Sequence, residues 1–429
     1  HYSVTANNKV VRSGKVSLDI EPQASKEFTV PVGNLKPQAG TEYFVNFNVT
    51  TVEKEPLIPI GHEIACDQFR LPIESPKKAF KTSGPKLTVS TNGDNLSASS
   101  SKVNFVFNRK TGIVTSYKVD GTEYFSEGFG IQPNFWRAPT DNDYGNGMPK
   151  RLQVWKESSK NFNVTDATVT MDGNNAVVNV NYLLPAGNLY IVNYTIYPSG
   201  AVNVAARFTS TDMDAAQTEV SEATRTATFT PGRDAARKEA SKLNVPRIGV
   251  RFRLPASMNQ VEYFGRGPAE NYLDRNAGSM VGLYKSTAEE LYFPYVRPQE
   301  NGHHTDTRWV SLSTGKKGLL IQADNTIGFN ALRNSIEDFD DEEATGLPRQ
   351  WSNFTPEQVA NHDEAAAKNV LRRQHHINNI TPRDFVEVCV DLKQQGVAGY
   401  DSWGSRPEPA YTLPANREYN WGFTLIPLK

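Results

Sequence analysis

The sequence predicts an all-β protein, and three observations carry that prediction. Short apolar–polar alternations recur along most of the 429 residues, the period-two pattern of strands with one buried face. Turn signals such as Asp120-Gly121 and Asp172-Gly173 stand between them, a pairing that suits tight hairpins. Nowhere do strands alternate with long helices, as a parallel sheet requires. The length also exceeds what one hydrophobic core usually holds, so more than one unit is expected.

The first unit is expected over residues 1–73. Val10-Val11, Val16 to Ile20, Glu27 to Val30 and Tyr43 to Val49 read as strands, separated by Asn7-Asn8, Glu21-Pro22 and Gln38-Ala39-Gly40. That is the rhythm of an immunoglobulin-like sandwich, short by a strand or two of the roughly 100 residues such a unit takes. A truncated sandwich leaves an edge open. The opening, His1-Tyr2-Ser3-Val4-Thr5, already reads as strand without an initiator Met, as in a piece of a longer protein.

A linker is expected over residues 74–86, rich in Pro, Ser and Lys, followed by one large antiparallel super-sandwich over 87–429. Its strands include Val177 to Tyr182, Ala201 to Val204, Leu319 to Ala323 and Phe385 to Val390. Helix is scarce. Pro149 opens a short candidate running to Glu157, with Leu152 and Trp155 on one face. Thr287 and Glu290 have capping-box spacing for a single turn. Two polar insertions, Gly232 to Ser241 and Ser335 to Thr345, read as loops. The acidic run Glu337 to Glu343 in the second lacks calcium-loop spacing and reads as solvated.

Composition excludes several function classes. With 46 basic against 47 acidic residues, no strong field draws nucleic acid or an anionic membrane. No apolar run approaches the roughly 20 residues of a spanning helix. The two cysteines, Cys66 and Cys389, form no disulfide framework or zinc spacing. Nucleotide loops and nucleophile elbows are missing.

The stretch with the most chemistry is Asn134 to Gly147, where Phe135-Trp136-Arg137-Ala138-Pro139 leads into Thr140-Asp141-Asn142-Asp143-Tyr144-Gly145-Asn146. Asp and Asn compete for backbone hydrogen bonds, so this is ordered-loop material. Three further stretches repeat its mix of Arg, carboxylate, amide and aromatic. These are Gly265 to Arg275 (with Glu270, Asn271 and Asp274), Tyr295 to Gly302 (with Glu300 and Asn301), and Gly399 to Gly404 (with Asp401 and Trp403). Aromatic faces stack on the C–H face of a pyranose while carboxylates and amides bind its hydroxyls, so together they suit a sugar site. Ion pairing that pins loops is the simpler reading of Arg266 and Arg275 beside Glu270 and Asp274. A glycosidase needs two carboxyl groups across the scissile bond. Asp141, Asp143, Glu270, Glu300 and Asp401 are candidates whose spacing the sequence leaves open. A zinc site from the pairs His303-His304 and His375-His376 is not expected.

These stretches, together with Phe107 to Gly112 and the run Gly61 to Leu71, resemble in order the C-terminal region of the β-galactosidases of glycoside hydrolase family 2. The resemblance implies the end of an immunoglobulin-like domain followed by a super-sandwich of the galactose-mutarotase type. It implies that both catalytic glutamates, with the magnesium and sodium ligands, lie on a barrel elsewhere in the parent, so no catalytic or metal residue is expected here. Trp403 corresponds to a tryptophan that stacks on substrate at the active-site entrance, and Asp401 accompanies it. Gly145 corresponds to a hinge glycine, with Asn146 to Lys150 as a mobile loop and Arg137 as its anchor. Asp141, Asn142, Asp143 and Asn146 then belong to an active-site loop, and Glu270, Asn271, Asp274, Arg275, Glu300 and Asn301 to its rim or support. The expected partners are galactoside through the parent enzyme and the missing N-terminal domains of the same chain. The parent would be oligomeric, as many relatives are, and would reside in a bacterial cytoplasm or periplasm. A non-catalytic carbohydrate-binding or scaffolding domain is the second reading, and an aldose epimerase the third.

Overall fold

The structure is a computed structural model that describes residues 1–209, 244–340, 377–401 and 404–429. The described strands form three antiparallel sheets. In the first, β1 (Tyr2–Ala6) lies between β2 (Lys9–Gly14) and β3 (Tyr43–Thr50), and β4 (Glu63–Arg70) forms the far edge. The second is a meander of β5 (Thr88–Asn92), β6 (Asn95–Ser99), β7 (Val103–Asn108), β8 (Ile113–Val119) and β9 (Thr122–Glu123).

The third sheet has twelve strands. Its path runs β10 (Gln132–Asn134), β15 (Arg247–Pro255), β20 (Phe385–Gln394), β19 (Gly318–Leu332), β21 (Tyr419–Leu428), β14 (Val202–Phe208), β13 (Leu189–Ile196), β12 (Asn175–Leu183) and β11 (Asn163–Asp172). The strands β16 (Gln260–Gly267), β17 (Met280–Thr287) and β18 (His304–Ser313) branch from β19. The long β19 pairs β21 in its first half, β20 in its second and β18 in both, which makes it the spine of the sheet.

Alternation builds the core. Val178, Val180 and Tyr182 of β12 face inward opposite Tyr194, Val192 and Tyr190 of β13. The meander closes over this face, with Phe105 and Phe107 of β7 at 5.6 and 6.2 Å from the Tyr194 ring. Aromatic pairs at such separations add to the burial of their surface. The predicted β-class thus holds, and the strands named for the second unit all form.

The first 73 residues depart from expectation. Where a sandwich is predicted, the described residues give a single four-stranded sheet. Val16 to Ile20 and Glu27 to Val30 form no strand. Leu18, Ile20 and Phe28 remain exposed, with no second sheet among the described residues for those apolar positions to close on. The other face of the sheet docks onto β16 and β17. Phe44 meets Phe264 edge-on at 6.5 Å, and Glu42 pairs with Arg308. The linker lies pinned on the surface: Ser199 N–H donates to the Thr82 carbonyl at 3.1 Å and Phe80 packs on Tyr197.

The helix expected from Pro149 to Glu157 is two short ones, α2 (Met148–Arg151) and α3 (Gln153–Ser158), broken at Leu152. Leu152 and Trp155 are both fully buried, as their spacing predicts. Thr287 and Glu290 cap each other's backbone N–H at 3.0 and 3.2 Å around one turn. No helix among the described residues is long and apolar enough to cross a membrane.

Candidate functional site

After β10 the chain leaves the sheet as Phe135 to Thr140 and turns into α1 (Asp141–Gly145). The sequence reading treats this stretch as loop. Its middle is a helical turn because Thr140 and Asp143 form a capping box, each side chain accepting the other's backbone N–H at 3.0–3.1 Å. Capping satisfies donors that a short helix leaves open.

Arg137 is the anchor. It is fully buried, and its Nη2 donates to both Asp143 carboxylate oxygens at 3.0 Å and to the Gly396 carbonyl at 3.1 Å. Its Nη1 donates to Gln395 O at 2.7 Å and to Gln394 Oε1 at 3.2 Å. One guanidinium therefore ties α1 to the end of β20, using a fork of donors that Lys lacks.

Beyond β20 the chain folds back over α1. The Asn142 amide donates to Ser405 O at 2.7 Å and to Val397 O at 3.1 Å, and the Asn146 amide donates to Ser405 O at 3.3 Å. Asp401 accepts the Ser405 N–H at 3.2 Å, and both lie on the surface side of this loop. Trp403 lies outside the described residues, but Gly404 beside it rests directly on Gly145. Gly145 keeps an ordinary backbone, whereas Gly147 and Gly404 beside this contact are left-handed, at φ of 72° and 82°. What Gly145 provides is room, since a Cβ there would lie 3.1 Å from the Gly404 Cα. Met148, within the segment expected to be a mobile loop, is fully buried.

The two inner stretches support this pair of loops. Asp274 accepts the backbone N–H groups of Val397 and Ala398 at 2.9 and 2.7 Å, so it holds a loop, and it pairs with no Arg among the described residues. Glu270 takes Arg275 at 3.0 Å, the Gly302 N–H at 2.7 Å and the Tyr295 hydroxyl. Asn271 is buried and accepts Thr305 N–H and O–H at 2.9 and 2.6 Å. Arg297 stacks 3.9 Å from the Tyr144 ring centre and lies 3.4 Å from Asp141, while Gln299 accepts the Asp141 N–H at 3.0 Å. Asn301 is buried and bridges Gln299 and Phe293.

A buried polar cluster lies beneath, and sequence reasoning missed most of it. Arg247 of β15 reaches Glu300 at 3.0 Å, Asp391 of β20 at 3.2 Å and Asn330 of β19 at 2.8 Å. Gln394 and Asn330 also donate to Glu300, at 3.0 and 3.1 Å. Burial alone would lower the Arg247 pKa, but Asp391 and Glu300 hold it firmly charged. Burial raises the Asp391 carboxyl to about 7, against the pull of Arg247. His303 is held neutral, mainly by burial and then by Arg247. The signal available in sequence was a charge in an otherwise apolar strand, in Ile248-Gly249-Val250 after Arg247 and in Val388-Cys389-Val390 before Asp391.

The acidic run is also corrected. Within α4 (Ile336–Phe339) and just after it, Glu337 pairs with Arg251 at 2.8 Å, Asp338 with Arg383, and Asp340 with Lys156 at 2.9 Å. Asp340 further accepts the Trp136 indole N–H at 2.7 Å. These carboxylates are engaged by cations of neighbouring elements; Asp338 to Asp340 are packed, not solvated, while Glu337 stays exposed at their edge. Residues 341–343, His375-His376 and the insertion 232–241 lie outside the described residues. Among the described residues no group of three or more His, Cys, Asp or Glu could hold a metal ion.

A family profile for the β-galactosidase small chain matches residues 99–425, and one for β-galactosidase domain 4 matches residues 1–72. The chain belongs to the β-galactosidase family. The β-galactosidase of Priestia megaterium is 29% identical over 431 residues, covering 100% of this chain and 36% of that protein. That of Streptococcus thermophilus is 24% identical, covering 99% and 35%, and that of Kluyveromyces lactis 29% identical, covering 75% and 29%. The chain therefore spans about a third of the length of these relatives, 36% of the first. A solved galactose mutarotase related enzyme from Lactobacillus acidophilus aligns with 78% of this chain and 97% of its own at 10% identity, with a TM-score of 0.38.

Within this chain, the structure brings Arg137, Asn142, Asp143, Gly145 and Asn146 against the loop that carries Asp401. Asp274 and Glu270 act from behind that loop, and Glu300 and Asn301 lie in the core. Of the carboxylates in these stretches, Asp143, Glu270, Asp274 and Glu300 are all engaged internally.

Proposed function

We propose that this chain is the part of a retaining β-galactosidase that supplies the rim and closing loop of the galactoside site, while the catalytic acid and nucleophile reside in the rest of the parent. The observation that carries this reading is the docking of two loops. Asn142 and Asn146 both donate to Ser405 O, and Gly145 receives Gly404. The two segments that the family resemblance assigns to the substrate rim are thereby one structural unit, held from beneath by Arg137. A rim must be rigid where it meets the protein and open at its tip. The buried anchor and the exposed Asp401 fit that division. Magnesium and sodium belong, on the same reading, to the absent portion, and the chain alone has no hydrolytic activity.

The test is Trp403→Ala in the parent enzyme. If this ring stacks on galactose, binding weakens by about 1–3 kcal/mol, on the order of 10- to 100-fold in Kd for a galactoside inhibitor. An unchanged Kd would remove the rim role. The second reading, a scaffolding domain without contact to substrate, has its own support: Asn271, Glu300 and Asn301 spend their polar groups internally. It predicts that Trp403→Ala leaves affinity intact while Arg137 variants still lower stability.

A further inference from the structure

A pocket of about 390 Å³ opens where the turn between β8 and β9 meets the hairpin between β18 and β19 and the last residues of β21. It lies at the opposite end of β19 from the rim. Lys317 precedes that strand and Asn330 is near its far end, a separation on the order of 40 Å along extended chain. No group of the rim or of the buried cluster lines it.

Its lining is dominated by hydrogen-bond donors. Lys102, Lys316 and Lys317 face it, together with Lys429. Among the described residues the one carboxylate side chain on its wall is Asp120, 3.8 Å from Lys102 and 3.2 Å from Lys429. Lys317 donates to Thr122 Oγ1 at 3.0 Å, which leaves the threonine proton and two ammonium protons unspent. The Lys316 ammonium has no partner among the described residues. Ser199 accepts the Ala201 N–H at 3.2 Å, so its own proton is available. Tyr124 is 2% exposed yet lines the pocket, and burial, reinforced by Asp120, lifts its pKa to about 12, so it stays a donor.

Even before Lys429 is counted, three ammonium groups face one carboxylate, a surplus of two positive charges. Donors in excess, with a net charge of that sign, select a ligand that only accepts and carries two negative charges. Val119, Pro427 and Leu428 add an apolar wall, and the volume lies in the range of small-molecule sites. We propose that this pocket binds a phosphate group, as a phosphate ester whose organic part lies against that wall. The inference is independent of the galactoside reading.

The test is isothermal titration calorimetry on the full chain at constant ionic strength, with glycerol phosphate, inorganic phosphate and chloride as three separate probes. The double variant Lys316→Ser/Lys317→Ser leaves the fold in place, since both residues sit on an exposed hairpin. The expected result is saturable binding of glycerol phosphate, at least about tenfold weaker in the double variant. Inorganic phosphate binding as tightly as the ester would keep the oxyanion site and assign it to the free ion. Absence of saturable heat from both phosphates, equal affinity in the double variant, or equal competition by chloride would each overturn the proposal.

Discussion

Gly404 and Gly145 meet backbone to backbone: a Cβ on Gly404 would sit 2.4 Å from the Gly145 carbonyl carbon. Real Cβ atoms do not approach backbone that closely, and Gly404 also has φ of 82°. Gly404→Ala therefore meets two obstacles, steric overlap and a left-handed conformation costing roughly 1 kcal/mol or more. Gly145→Ala meets a milder one, a 3.1 Å contact that a small shift relieves. In the parent enzyme Gly404→Ala is expected to raise KM for a galactoside more than Gly145→Ala does. Limited proteolysis between residues 398 and 405 should accelerate in the same order. The reverse order would show that the contact does not hold the loop.

Arg137 makes the sharper case. Its side chain is the cation that pairs directly with buried Asp143, and three further acceptors depend on it. Removing one member of a buried ion pair typically costs 3–5 kcal/mol, because the other is left charged and dry. Arg137→Met should lower unfolding stability by about that much. Arg137→Lys should recover only part, since an ammonium cannot span Asp143 and the β20 carbonyls together. A loss below about 1 kcal/mol in urea unfolding would contradict the anchor role.

What was legible in the sequence follows from the range of the interaction that decides it. Period-two alternation is local, so strands such as β12, β20 and the second half of β3 could be read directly. Val16 to Ile20 has the same local pattern and no strand, because a strand also needs a neighbour and the alternation cannot say whether one is present. Arg137 could be named as an anchor, but not its partners, since Gln394, Gln395 and Gly396 lie more than 250 residues away. Gly145 could be singled out, but not the space it provides, since the intruding Gly404 is equally distant in sequence. Asp391 stood out only as a charge in an apolar strand, because nothing local to it announces Arg247.

Gln68 joins the N-terminal sheet to the large one in an unusual way. Its side-chain amide donates to the Val281 carbonyl at 2.9 Å and accepts the Val281 N–H at 2.8 Å, imitating one residue of a neighbouring strand. Both backbone groups of Val281 therefore rely on one side chain. Gln68→Glu replaces a donor with an acceptor against a carbonyl, so it should destabilise more than Gln68→Ala. Leaving a buried polar group unpaired costs about 1–3 kcal/mol. Hydrogen exchange at Val281 should accelerate in both variants. Unchanged protection in Gln68→Glu would show that the two sheets dock through Phe44, Phe264 and Arg308 alone.

His303 and Asp391 lie 3.9 Å apart and titrate in opposite senses. Asn330 donates its amide protons to Glu300 and the Asn301 carbonyl, so its Oδ1 faces His303 and receives the Nδ1 proton at 2.8 Å. A neutral His303 with its proton on Nδ1 is the form the cluster accepts. Its folded pKa lies well below 6.5, so in that window the unfolded chain binds the extra proton, and stability falls as pH drops below about 6.5. Asp391 works the other way. Its folded pKa of about 7 stands above the ordinary carboxyl value of 3.8, so the folded state binds the extra proton, and stability falls as pH rises from about 4 to about 7. Each group contributes a slope of up to about 1.4 kcal/mol per pH unit where only one state is protonated. Between about pH 5 and 6 the two slopes oppose each other in the native protein. His303→Gln should therefore make stability decline with rising pH across that interval, and Asp391→Asn should make it climb. Urea unfolding of both variants at several pH values reads the slopes directly. Identical slopes in the two variants would mean that this pair does not govern the pH response.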